Sequence, residues 1–283
     1  MNSETGSPPN PQTALPANYS ENTPIIKDVS IFTNKLFLAS FAGLAFVALL
    51  TLLFLSPIIG FFVVCLGIAG YVIFFSSNIL KNFARTNGYR YLAQGFIADQ
   101  TGLIFTIGYG PEYSDIVYGL YKSWPFGLFV YSYSVSEQEN SRRYARTVLV
   151  IDFTAPLPAF VLRKHKLLQI FEEEGESLKS HGYTERLALE GDFEDSFQVF
   201  IKPDTQVEVL TILTPDSMEL IMKLDKYEIE MTNDGKLYVY FHAIAKRKEE
   251  LANTYMIIGT LIPKIQSYLD RQEAIEDKQE LTS

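Results

Sequence analysis

From Leu36 to Leu80 the chain runs for 45 residues without an Asp, Glu, Lys, Arg or His. One helix of that length would be roughly 65 Å long, about twice the ~30 Å hydrocarbon core of a bilayer. Ser56-Pro57 interrupts the run near its middle. Proline lacks a donor, restricts the residue before it and is tolerated at a helix start, so the break divides the run into two elements. The run therefore predicts a transmembrane α-helical hairpin, with spans over 36–55 and 57–76. Burial inside a water-soluble core is the competing reading, but soluble helices carry a polar face and these segments have none.

Lys27 and Lys35 precede the first segment, Lys81, Arg85 and Arg90 follow the second, and the turn between them has no basic residue. Basic flanks stay on the cytoplasmic side. The expectation is a two-pass protein of the cell membrane with both termini cytoplasmic and the lipid bilayer as its first partner. About 30 polar residues precede the run. That, and the run's length, argue against a cleaved signal peptide. Ala39 with Gly43, and Cys65 with Ala69, are small residues at i and i+4, and Gly67 and Gly70 lie one turn apart. Such faces let helices approach closely, within the hairpin or between two copies in a homo-oligomer. Ionisable residues that mark ion pathways and proton relays are missing from both spans, which speaks against a pump or transporter acting alone.

The formal net charge of −9 argues against nucleic acid as a partner, whose footprint is a basic face. Cys65 is the only cysteine, so the part beyond the spans offers no thiol nucleophile and no cysteine zinc site. His165, His181 and His242 are too scattered to suggest a metal centre by spacing. Gly108-Tyr109-Gly110-Pro111 starts like a phosphate loop, but no third glycine follows at the required spacing and no Gly-Lys-Ser/Thr occurs. Turns between strands account for Gly102, Gly108 and Gly110. A Gly-x-Ser-x-Gly elbow is also missing. The acidic groups Asp192, Glu194 and Asp195, and Glu172 to Glu174, read as solvated surface. No catalytic, cofactor or metal residue is therefore assigned.

Residues 1–34 hold five prolines among Ser, Thr and Asn and read as a disordered tail. A cytoplasmic α+β domain is expected over 88–245, mostly antiparallel sheet with a few helices. Phe126–Ser134 and Thr147–Phe153 are rich in β-branched and aromatic residues, and a polar turn at Glu137–Asn140 makes them a long hairpin. The first of these strands is apolar on both faces and should be interior. Lys166–Ser180 reads as a short helix or an acidic loop. Phe197, Val199 and Ile201 alternate with polar positions before Pro203, as an edge strand would. Thr214-Pro215-Asp216 is a helix start, with Met218, Ile221, Met222 and Leu224 as the apolar face. Tyr227, Ile229 and Met231 alternate with Glu228 and Glu230, and Asn233-Asp234-Gly235 turns the chain into Leu237, Val239 and Phe241, a second hairpin. A long C-terminal helix over 246–272 carries Leu251, Tyr255, Ile258, Ile262, Ile265 and Leu269 on one face. Packing on the domain's own sheet, a coiled-coil seam and the membrane interface are its three candidate uses. An acidic, frayed tail over 273–283 should follow.

Leu157–His165 (LPAFVLRKH), Leu189–Phe200 (LEGDFEDSFQVF) and Leu213–Leu224 (LTPDSMELIMKL), with the hairpin to Phe241, together resemble a family of bacterial membrane proteins that carry a domain of unknown function. The resemblance covers about Asn34 to Ala245 and implies two adjacent spans with a cytoplasmic α+β domain. It implies no catalytic residue.

One basic cluster stands out from the acidic background. Arg142, Arg143 and Arg146 lie near the tip of the first hairpin, and Arg163, Lys164 and Lys166 follow on a strand read as its neighbour. Basic residues near an anionic leaflet contribute about 1 kcal/mol each, which makes these six candidate lipid contacts. Together these readings describe a membrane-anchored binding or scaffold domain that recognises a protein partner or inner-leaflet lipid. An accessory subunit of a membrane complex, or an enzyme of unrecognised type on a membrane-proximal substrate, are the alternatives.

Overall fold

The computed structural model describes Gly43 and residues 79–280 apart from 138–139, 165–176, 190 and 225. The expected tail, both expected spans except Gly43, the packing residues Ala39, Cys65, Gly67, Ala69 and Gly70, and Lys166 lie outside the described residues. Gly43 is helical. Among the described residues no helix is long and apolar enough to cross a membrane.

In chain order the elements are α1 (Ile79–Asn87), β1 (Arg90–Gly95), a 3-10 turn (Leu103–Thr106), β2 (Tyr109–Tyr121), β3 (Trp124–Glu137), β4 (Asn140–Asp152), β5 (Phe160–Lys164) and β6 (Glu185–Leu187). There follow α2 (Asp192–Ser196), β7 (Phe197–Ile201), α3 (Gln206–Ile212), α4 (Pro215–Lys223), β8 (Tyr227–Met231), β9 (Lys236–Phe241) and α5 (Lys248–Glu280). The strands form one nine-stranded sheet in the order β1-β2-β3-β4-β9-β8-β5-β7-β6. Every neighbouring pair is antiparallel. The domain is thus α+β, mostly antiparallel sheet with a few helices and a long C-terminal helix.

Both hairpins form. β3 and β4 pair from Phe126↔Ile151 to Glu137↔Asn140, and β3 is an interior strand. β8 and β9 pair across Asn233-Asp234-Gly235, where Gly235 has φ +89°. A Cβ there would also lie 2.5 Å from the Ala155 carbonyl oxygen, so the turn needs glycine twice over. Two expectations are corrected. β7 is not an edge strand, because the three-residue β6 covers its outer side. The strand read as the first hairpin's neighbour, β5, lies two strands away, since β9 and β8 insert between β4 and β5.

One face of the sheet is covered by helices. Leu80, Phe83 and Ala84 of α1, Ile212 of α3 and Ile221 of α4 are buried on Leu128, Leu149, Leu162, Ile229 and Val239. Leu251, Tyr255, Ile258, Ile262 and Ile265 of α5 join them, so the helical face packs on the domain's own sheet. α5 continues to Glu280, so residues 273–280 of the stretch expected to fray are helical; the side chains of residues 273–279 are exposed and, apart from Ala274 and Ile275, polar. The packed unit also starts earlier than residue 88. α1 ends in a turn at Gly88, where the Tyr89 N–H donates to the Ala84 carbonyl at 2.8 Å. β1 then runs back along α1, with Phe83 against Tyr89 and the Lys81 ammonium over the Tyr91 ring.

The other face is covered by a strap that holds only the 3-10 turn Leu103–Thr106, with Leu178 and Tyr183 beside it. Residues 96–108 leave β1 at the sheet edge, cross to β9 and β8, and return to β2. Ile97, Leu103, Ile104 and Ile107 of this strap are buried. Phe105 packs on Tyr113, Phe129, Tyr131 and Tyr238. Gly108 (φ +71°) closes the strap where a Cβ would lie 2.3 Å from the Ser134 carbonyl oxygen.

Candidate functional site

Because side chains alternate across a strand, β8 points Tyr227, Ile229 and Met231 to the helix face and Glu228 and Glu230 to the strap face. The alternation reads as a half-solvated strand, yet Glu228 is only 4 % exposed and Glu230 only 1 %. The strap face of β9 carries Tyr238 and Tyr240, with His242 just past its end, that of β4 carries Arg146, and that of β5 carries Arg163. Four strands thus bring two carboxylates, two guanidiniums and an imidazole onto one buried face.

Glu228 is the paired member. Arg146 Nη1 donates to Glu228 Oε2 at 3.0 Å, and His242 Nε2 stands 3.7 Å from Oε1. Burial works against the carboxylate, but His242, Arg146 and Arg163 outweigh it and hold Glu228 below the usual range. Burial, with the two arginines and Lys164, pushes His242 down to about 4 against the pull of Glu228. The imidazole is therefore neutral at pH 7, and the guanidiniums are the cations that face Glu228.

Glu230 is held differently. Both its carboxylate oxygens accept the Leu103 N–H at 3.0 Å, and the Tyr240 hydroxyl donates at 2.7 Å. Burial raises Glu230 to about 7; the two hydrogen bonds and Arg163 oppose that rise, and Glu228 adds to it. Gly102 makes the approach feasible, since a Cβ there would lie 2.4 Å from the Tyr240 hydroxyl. The neighbouring contacts are also polar. The Tyr238 hydroxyl accepts the Thr101 N–H at 3.1 Å, and Thr101 Oγ1 donates to Asp234 at 2.9 Å. Lys236 Nζ donates to the Asp99 carbonyl at 2.6 Å and to Asp234 at 2.9 Å. This arrangement fixes a segment of backbone and keeps one carboxyl near its titration point at neutral pH. No group of three or more potential metal ligands occurs among the described residues.

The five described members of the basic cluster do not share one surface. Arg146 (8 % exposed) and Arg163 (5 %) are buried in the ionic row, so they are removed from any exposed basic face. Arg142 lies over the Tyr144 ring, Arg143 pairs with Glu112, and Lys164 is half-buried at the end of β5. Glu228 and Glu230 are the residues that sequence reasoning missed. The signal was the strap side of the neighbouring strands: Tyr131 and Tyr133, Val148 and Val150, and Tyr238 and Tyr240 are as apolar as the helix side, which calls for a second cover.

The fold is an antiparallel α+β sheet with helices on one face and a strap over residues 96–108 on the other. No protein-family model and no curated protein matches the chain. Among solved structures it is similar to mycobacterial trehalose monomycolate transport factor A, TtfA, with 12 % sequence identity, a TM-score of 0.41, and coverage of 66 % of this chain and 96 % of that one.

Proposed function

We propose that the protein is a membrane-tethered binding or scaffold domain, anchored by the two spans over 36–55 and 57–76, that holds a protein partner close to the inner leaflet of a bacterial cell membrane. The observation that carries this reading is α1. Its described part opens at Ile79, with Ser77 and Asn78 between it and the expected second span, and Leu80, Phe83 and Ala84 are already buried in the domain core. So short a link in sequence would keep the domain close to the bilayer. Phe96 (69 % exposed), which follows β1, and Tyr109 (51 %), which opens β2, are large exposed aromatics. Such side chains suit a protein contact.

The ionic row supports binding over catalysis, since its carboxylates are committed to Arg146, Leu103 and Tyr240. The test has two arms in cells. In a Cys65→Ser background, Lys226→Cys should be labelled by an impermeant maleimide in inverted vesicles and not in intact cells. The reverse pattern overturns the orientation. A photo-crosslinking residue at position 96 should give one discrete protein adduct, also formed from position 109. Adducts with lipid only, or none, overturn the protein partner.

A further inference from the structure

The two ends of the sheet are finished differently. β6, the last strand on one side, is three residues long and opens with the exposed, charged pair Glu185 and Arg186. Shortness and charge are two of the devices that keep an edge from pairing further. β1, the last strand on the other side, has six residues, and from Tyr91 to Ala98 the sequence holds neither a charge nor a proline. Ala93, Gln94, Gly95 and Phe96 are all exposed. Among the described residues no strand pairs with the outer side of β1, so every second residue points its N–H and C=O away from the sheet. An uncharged open edge of this kind is a template for one more strand.

We infer that its occupant is the chain's own segment 25–33, added beside β1 as a tenth strand. The inference rests on the two-span reading proposed above. Ile25–Thr33 (IIKDVSIFT) lies outside the described residues, and six of its nine residues, Ile25, Ile26, Val29, Ile31, Phe32 and Thr33, are β-branched or aromatic. That composition fits a pleated sheet. The five prolines that mark the tail stop at Pro24, so every N–H of the segment can donate to a ladder.

The place where the segment ends selects the edge it meets. With a hairpin anchor, residues 34 and 77 leave the bilayer on the same side, about 10 Å apart, the spacing of two packed helices. Lys81, four residues further on, holds its ammonium 5.8 Å from the centre of the Tyr91 ring, which ties the middle of β1 to that point. The span from residue 34 to β1 is then within about 30 Å, and nine extended residues reach about 30 Å. β6 is eight strand spacings away across the sheet, about 38 Å further, and lies beyond that reach. Charge also separates this occupant from a second copy of the chain. α1 and β1 together carry Lys81, Arg85 and Arg90 and no acid, so a second copy paired at β1 would add three more cations, whereas segment 25–33 sets Asp28 against Lys27. Like charges brought together oppose pairing.

The test is hydrogen exchange on the full chain in detergent, where peptides covering 25–33 and 90–95 should both exchange slowly. Neighbouring residues of a strand point their N–H groups to opposite sides, so in the double variant Val29→Pro with Ser30→Pro one lost donor must face β1. Exchange in both peptides should then speed up about tenfold or more, while 126–137 of β3 keeps its protection. Fast exchange of 25–33 in the unaltered chain, or full protection of 90–95 in the variant, overturns the added strand. Protection of 90–95 that survives the prolines but falls on dilution assigns the edge to a second copy instead. The anchor is read separately: in the Cys65→Ser background, Ser20→Cys and Lys226→Cys should be labelled by an impermeant maleimide from the same side of the membrane. Labelling from opposite sides overturns the two-span reading and this strand with it; labelling from one side with fast exchange at 25–33 overturns the strand alone.

Discussion

The two faces of this sheet are covered by opposite means. On the helix face, Leu128, Leu149, Leu162, Ile229 and Val239 meet five helices, and the contact is mainly apolar, with the Tyr227 hydroxyl donating to the Glu250 carbonyl at 2.7 Å as a polar exception. On the strap face the cover is irregular, and its backbone brings N–H groups that no helix or strand absorbs. Buried backbone donors need partners. The sheet supplies them from side chains: Glu230 for Leu103 and Tyr238 for Thr101. The buried Glu230 is therefore part of how that face is closed. Packing by area holds the first face, and packing together with directed hydrogen bonds holds the second. The second must then respond more sharply to loss of a single atom pair, and it alone must respond to pH near neutrality.

The largest effect should come from breaking the ionic row. Arg146→Met leaves Glu228 buried without its 3.0 Å partner. Removing one member of a buried pair destabilises by about 3–5 kcal/mol. Urea unfolding followed at Trp124, the single tryptophan, which packs 4.9 Å from Phe153, reads this directly. Arg146→Met combined with Glu228→Leu should recover part of the loss, because the orphaned charge is then gone. A double variant no better than the single would mean that Arg146 acts through its packing alone.

On the helix face the matching test is Ile258→Ala. Ile258 is fully buried among α5 and sheet residues, and truncation of a buried isoleucine costs about 2–5 kcal/mol through lost burial plus the cavity left behind. The loss should be the same at pH 5 and pH 8, since Leu128, Leu149 and the other contacts on that face do not titrate. The cost of Arg146→Met, by contrast, should shrink as acid protonates Glu228. Equal pH dependence in the two variants would erase the distinction between the faces.

The contrast also explains what could be read from the residues in advance. Both hairpins were legible because β-branched and aromatic runs bracket polar turns, and Gly235 marks one of them. The long helix was legible from the spacing of Leu251, Tyr255, Ile258 and Ile262. The strap was not, because residues 96–108 have neither a period of two nor one of 3.6; their order comes from contacts with residues more than a hundred positions away, such as Thr101 with Tyr238 and Leu103 with Glu230. Glu228 and Glu230 then passed for a solvated face, since alternation in one strand cannot tell water from a second cover. The basic cluster failed for a related reason. Arg146 follows the exposed Arg142 and Arg143, and Arg163 precedes Lys164, but strand alternation and the insertion of β9 and β8 send Arg146 and Arg163 inward toward Glu228.

The smallest effect should come from a polar contact on the helix side. Lys264 of α5 donates to Asp216 Oδ2 at 2.6 Å and to the Ser217 hydroxyl at 2.9 Å, and also to the Thr214 hydroxyl, so it meets the start of α4 with three contacts. Hydrogen bonds from Lys264 and then Thr214 hold the Asp216 carboxyl down at about 2. A depressed carboxyl favours the folded state above its ordinary pKa of 3.8, and that contribution fades as pH falls toward 2. Yet Asp216 is exposed, and exposed pairs are screened by water and salt. Lys264→Met should therefore move the Asp216 carboxyl up toward 3.8 in a carbon-13 NMR titration, while the urea midpoint at pH 7 shifts little. A loss as large as that of Arg146→Met would show that the number of contacts, and not their burial, decides what a polar group contributes in this domain.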